Sequence, residues 1–254
     1  MHFFNNRWII RTTACVALVI SAGCEVWAPP TPTDAERSRG LIVMYPGDDG
    51  GSTEMVGFYT GLREAGVDQA IESIRWTLPM ETALFRIPFW MRFPAWAQQE
   101  AQRIATYQAT YPGAPVTLLG FSGGGMVAIV VAEQMPGDAM VDRVLLLSPG
   151  VSPDYDLKPM LAKVRDRVIV YWSPKEAQLG GALLLLMGTV DGNYTAAAAI
   201  SGFNQTAPKL EQVEWSEEMT AFGNNGDHTD YFWNIPWIRE YVAKWVAQPA
   251  QPPQ

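Results

Sequence analysis

The chain has 254 residues, 48% hydrophobic and 17% charged, with a formal net charge of −8. That apolar content suits one domain of about 230 residues once a leader is removed, while the acidic balance, with no basic cluster anywhere, excludes a nucleic-acid partner and repels anionic lipid headgroups. Two cysteines and two histidines leave no disulfide framework and no metal-ligand set in the mature domain, so neither a metal nor a cofactor is expected.

Residues 1–23 read as a secretory signal. Arg7 and Arg11 supply the positive start, Thr12 to Gly23 carries no charge, and no acidic residue precedes Glu25. The apolar run is short for a bilayer span, and a single-pass anchor is the alternative. Cys15 lies inside the run, and Cys24 ends it in Ser21-Ala22-Gly23-Cys24. That ending resembles a bacterial lipobox, with Ser21 where leucine is usual. The resemblance implies a diacylglycerol on Cys24 and, since Val26 is not aspartate, an exported outer-membrane lipoprotein. Plain cleavage after Gly23 would leave a periplasmic protein instead. Residues 24–39, rich in Pro and Thr, read as a tether.

The domain is expected over residues 40–247. Strand-like apolar runs fall at Leu41–Tyr45, within Ala70–Thr77, at Val116–Gly120, Arg143–Leu147 and Arg167–Trp172, and at Val213–Trp215. Helical stretches alternate with them at Glu54–Ala65, Ala95–Thr110, Gly124–Gln134, Leu157–Val164, Gln178–Met187 and Ile235–Ala247. Pro88 and Pro94 are expected to break regular structure in the aromatic segment Leu78–Trp96, which reads either as core packing or as a cap over a site. Residues 248–254 read as a disordered tail. Strands that are continuous apolar runs, alternating with helices, predict an α/β fold: a mostly parallel central sheet with helices on both faces. Sites in such sheets form at the strand C-termini.

Gly120-Phe121-Ser122-Gly123-Gly124 joins a strand to a helix with a serine at the apex. Small neighbours let the turn be tight enough to project the hydroxyl. A glycine-rich turn that only packs a helix, or cradles a phosphate, is the plainer alternative; neither G-x-G-x-x-G nor G-x-x-x-x-G-K-[ST] is present. A serine needs a base. His2 lies in the leader, so if Ser122 acts through a histidine, that histidine is His228, in the polar loop Gly226-Asp227-His228-Thr229-Asp230.

The elbow, the late histidine and the loop Tyr45-Pro46-Gly47-Asp48-Asp49-Gly50-Gly51 together resemble the α/β-hydrolase superfamily over about residues 40–247. The resemblance implies an oxyanion hole formed by the Gly123 N–H and one from the early loop, at Asp48. The family often carries His-Gly where this chain has Pro46-Gly47, and a solvated acidic turn is the other reading of Asp48-Asp49. The chain order Ser, acid, His places the acid after the strand ending at Trp172, at Glu176, with Asp191 as second choice. Asp227 adjoins His228 and is poorly placed to orient it.

The expected function is a serine hydrolase. It would cleave an ester-like bond (ester, thioester or amide) of a small-molecule acyl substrate through an acyl-enzyme. Its membrane contact would be a lipid anchor at Cys24. The alternatives are a non-catalytic scaffold of the same fold that binds a small molecule or a protein, and acyl transfer to an acceptor other than water.

Overall fold

A computed structural model describes residues 27–47, 52–76, 86–178 and 188–247. Its centre is a six-stranded sheet: β1 (Leu41–Tyr45), β2 (Ala70–Ser73), β3 (Val116–Phe121), β4 (Val141–Leu147), β5 (Val164–Trp172) and β6 (Leu210–Glu214). The spatial order is β2-β1-β3-β4-β5-β6, and every pairing is parallel.

The strands are apolar throughout because both faces of the sheet are covered. Alternation assigns Leu41, Val43 and Tyr45 to one face and Ile42 and Met44 to the other. On the first face pack α3 (Arg86–Thr110), through Ala97, Ala101 and Ile104, and α4 (Gly124–Glu133), through Val127, Ala128 and Val131. The second face is closed by α2 (Ser52–Glu64), through Met55, Phe58 and Leu62, and by the C-terminal helix over 235–247, through Trp237, Ile238 and Val242. Two cores therefore sandwich one sheet.

Several boundaries differ from the sequence reading. Part of the expected tether is a helix, α1 (Asp34–Arg39), opened by a capping box between Thr33 and Glu36. Glu36 pairs with Arg63 at 2.7 Å and Arg37 with Glu72 at 2.6 Å, so the domain begins before Gly40. Helix α3 starts at Arg86 and keeps Pro94 inside it, where a break was expected; Phe93 and Trp96 beside that proline are held in the aromatic packing with Trp76 and Tyr45. Local propensity is overridden there by burial. The helix expected at 157–164 is only α5 (Lys158–Leu161), because β5 begins at Val164 and its pairing with β4 claims the rest. Residues 179–187 of the expected helix, residues 78–85 of the expected cap, and the tail fall outside the described residues.

The chain runs outward from β1 to β2 and then returns to place β3 on the other side of β1. The C-terminal ends of β1 and β3 therefore flank the switch point of the sheet, where a crevice opens.

Candidate active site

Ser122 follows the last residue of β3 and adopts φ 53, in the left-handed region that a serine seldom occupies. Its N–H donates to Leu147 O, and its own carbonyl accepts from Gly125 N and Gly150 N, each at 3.0 Å. The turn is held from β4 and the segment that follows it. The flanking glycines are required by contact: a Cβ on Gly124 would stand 2.1 Å from Tyr45 O, and one on Gly120 would stand 2.3 Å from Gly124 O. Helix α4 begins at Gly124, so its N-terminal dipole lies behind the serine.

Four strand ends, those of β3, β4, β5 and β6, deliver the polar groups. Glu176 comes from the 3₁₀ turn Pro174–Gln178 after β5. Ser148 follows β4 directly, with φ 49 and its N–H bonded to Tyr171 O. His228 comes from the loop beyond β6. That loop is stapled by the Asp230 carboxylate, which accepts from Asn225 N at 2.7 Å and Asp227 N at 3.4 Å. The helix that follows, α7 (Asp230–Trp233), lies against α2 at Gly57, where an added Cβ would meet Phe232 O at 1.7 Å. The His228 ring rests on Phe121, centroids 4.9 Å apart.

The structure brings Ser122, His228 and Glu176 into one line. His228 Nε2 is 3.2 Å from Ser122 Oγ, and Nδ1 is 2.8 Å from Glu176 Oε2. Glu176 is 5% exposed, and its Oε1 has no hydrogen-bond partner among the described residues. Ser148 Oγ lies 2.7 Å from both Glu176 Oε2 and His228 Nδ1. The sequence reading missed Ser148. The available signal was a polar residue directly after an apolar strand, at the sheet edge where the nucleophile also emerges.

Asp191 is held elsewhere. Its carboxylate accepts from Ser152 N at 2.9 Å, Ser152 Oγ at 2.6 Å and Asn193 Nδ2 at 2.7 Å. Burial pushes its carboxyl up, but the bonds from Ser152, Thr189 and Asn193 outweigh that and hold it below the usual carboxylate range. It lines a polar cavity of about 610 Å³ with Ser152, Tyr155 and Tyr194, and it shares no bond with His228. Asp227 contributes its backbone N–H to the Asp230 staple.

Gly123 is the N-cap residue of α4, directly after the serine. Asp48, the other expected oxyanion donor, lies outside the described residues, as does Cys24. The loop after β1 is described as far as Gly47. Its Pro46 carbonyl accepts from Trp76 Nε1 at 2.7 Å, and its Gly47 N–H donates to Glu54 Oε2 at 2.8 Å. A Cβ on Gly47 would stand 3.1 Å from Glu54 Oε1 and 3.5 Å from Ser122 Cβ. A carboxylate from α2 therefore holds the backbone of the β1 loop at Gly47, which the sequence did not suggest. Of the aromatic segment, Phe93 and the neighbouring Trp76 are buried in the core.

Chemically, the line of atoms can take a proton from a hydroxyl, hold it on an imidazole and return it.

No family model matches the chain, and no curated protein sequence matches it. Solved structures do. Lipase B of Aspergillus fumigatus superposes with a TM-score of 0.51 at 12% identity, over 89% of this chain and 56% of the lipase. A protein described as a predicted CIB-like hydrolase from Thermoplasma acidophilum gives 0.47 at 18%, over 84% of this chain and 88% of its own. An esterase of Pyrobaculum calidifontis gives 0.47 at 13%, over 96% and 94%. At such identities the likeness is one of fold: six parallel strands in this order, covered on both faces, are the α/β-hydrolase fold.

Proposed function

We propose that this chain is a serine hydrolase that cleaves an ester-like bond of a small acyl substrate through an acyl-enzyme. The observation that carries the reading is the relay from Ser122 Oγ to His228 Nε2 at 3.2 Å and from Nδ1 to Glu176 Oε2 at 2.8 Å. That the neighbours in fold are an esterase, a lipase and other hydrolases supports it further.

In the proposed reaction Ser122 Oγ attacks the carbonyl carbon while His228 Nε2 takes the hydroxyl proton. Glu176 keeps the proton of the neutral imidazole on Nδ1 and stabilises the imidazolium once it forms. The carbonyl oxygen becomes an oxyanion, held by the Gly123 N–H and by the expected second donor at Asp48. His228 then protonates the leaving alcohol as the tetrahedral species collapses to the acyl-enzyme. A water molecule, deprotonated by the same imidazole, attacks the acyl carbon and releases the acid, and Ser122 recovers its proton.

Hydrolysis of a short p-nitrophenyl ester tests this against the scaffold reading. Ser122→Ala and His228→Ala should each lower kcat by about 10³-fold or more. A Ser122→Ala protein that keeps the wild-type rate would refute it. Products formed with added alcohols separate hydrolysis from acyl transfer. We also propose that Cys24 carries a lipid that anchors the mature protein to a bacterial outer membrane. Unchanged processing and membrane fractionation in Cys24→Ala would overturn that.

A further inference from the structure

A hydroxyl has one hydrogen and two lone pairs, whereas an ionised carboxylate only accepts. With Ser148 Oγ 2.7 Å from Glu176 Oε2, the hydroxyl hydrogen points at the carboxylate. A lone pair of the same oxygen then faces His228 Nδ1, also at 2.7 Å. That lone pair is satisfied only when Nδ1 carries its proton. Glu176 Oε2, 2.8 Å from Nδ1, favours the same state without enforcing it alone. The two acceptors together fix the tautomer that leaves a lone pair on Nε2, toward Ser122.

Two further observations point to a role for the hydroxyl. Ser148 is fully buried at φ 49, a conformation that glycine adopts freely and that strains a serine. A side chain is kept where the backbone disfavours one. In addition, Glu176 Oε1 has no partner among the described residues. Apart from the imidazole itself, Ser148 supplies the hydrogen bond that this buried carboxylate receives.

We propose that Ser148 is a positioning residue of the proposed hydrolase, a fourth member of the relay that locks the His228 tautomer and shares the charge of Glu176. The inference rests on the proposed function of the site. Among the described residues, other titratable groups around the pair are Tyr231, which couples to Glu176 and Asp230, Asp227 and Asp230 on the histidine loop, and Lys175 beside Glu176, with Glu217 as its 3.8 Å partner. The helix packed on the Glu176 turn, α6 (Ala198–Ser201), carries none.

The variants Ser148→Gly and Ser148→Ala both remove the hydroxyl, but only glycine also relieves the positive φ. Ester hydrolysis is followed from about pH 5 to 9 for both, alongside thermal melts. Both variants should lose about 10- to 100-fold in kcat with KM within roughly twofold. Because the lost hydroxyl is a hydrogen-bond partner of both the carboxylate and the imidazole, the acid limb of kcat/KM should move as well. Recovery of kcat in Ser148→Gly alone would show that strain, not the hydroxyl, matters. A lowered kcat with an unmoved acid limb would show packing only. Either result overturns the inference, as does wild-type behaviour in both variants.

A second measurement separates failure of this inference from failure of the function. Nitrogen NMR of ¹⁵N-histidine-labelled protein reads the tautomer directly, whether or not any ester is turned over. Wild type should show protonated Nδ1 near neutral pH, and Ser148→Gly should show a mixture. A tautomer that is the same in both refutes the role of Ser148, while a wild type with the expected tautomer but no turnover refutes only the hydrolase reading.

Discussion

Replacing Glu176 by glutamine tests which acid completes the relay. The carboxylate is 5% exposed and lies 2.8 Å from His228 Nδ1, while the histidine side chain is 42% exposed, so water partly screens the pull on the imidazolium that forms as Ser122 is deprotonated. Breaking a fully buried charged pair costs about 3–5 kcal/mol, and screening brings that to about 2–4 kcal/mol. At 1.36 kcal/mol per factor of ten, that is roughly 30- to 10³-fold in kcat. Glutamine also offers an N–H₂ that can face Nδ1 and favour the wrong tautomer, which pushes toward the upper figure. Asp191→Asn is the matched control. Its bonds go to Ser152 and Asn193, so kcat should stay within about threefold, while stability falls by about 1 kcal/mol after allowing for solvent screening. Because the native carboxyl of Asp191 titrates below its unfolded value, that stability deficit should be full near neutrality. It should shrink as pH falls through the aspartate range. The assay is steady-state hydrolysis of a p-nitrophenyl ester with urea melts in parallel. A Glu176→Gln enzyme within threefold of wild type, or a well-folded Asp191→Asn enzyme that has lost activity, would refute the assignment.

Gly124→Ala should lower kcat by at least about 100-fold and destabilise the fold, because its methyl would sit 2.1 Å from Tyr45 O and displace the elbow; wild-type kinetics and an unchanged urea midpoint would contradict that. Burial pushes the Glu133 carboxyl up to about 7, even though Tyr155 donates to it. Between 4.5 and about 7 the unfolded chain gives up this proton while the native state keeps it, so stability falls as pH rises through that window. Glu133→Gln should accordingly gain on wild type across that window, by about 1 kcal/mol once solvent screening is allowed for, and show no gain near pH 4 in thermal melts; a pH-independent gain would contradict the assignment.

The sheet was legible because its strands are buried on both faces and so read as unbroken apolar runs, Val116-Thr117-Leu118-Leu119 among them. The elbow was legible because the close approach of Gly120, Gly124 and Tyr45 O admits no side chain. His228 was legible by elimination, and Glu176 by chain order within the resembled family. Ser148 was not, because its contribution depends on register: it sits where parallel pairing sets the end of β4 between the ends of β3 and β5. Glu54 was hidden for a similar reason, since only the return of α2 over the β1 loop sets its carboxylate on the Gly47 N–H. Pro94 misled because a proline's local preference is weaker than the aromatic packing that surrounds it.

The most direct test of the central claim is the mass of the folded protein after brief exposure to a fluorophosphonate, followed by mapping of the modified peptide. One phosphonyl adduct on Ser122 is expected, absent from Ser122→Ala and formed about 100-fold or more slowly in His228→Ala. A folded wild type that gains no adduct, or an adduct that persists in Ser122→Ala, would contradict the account.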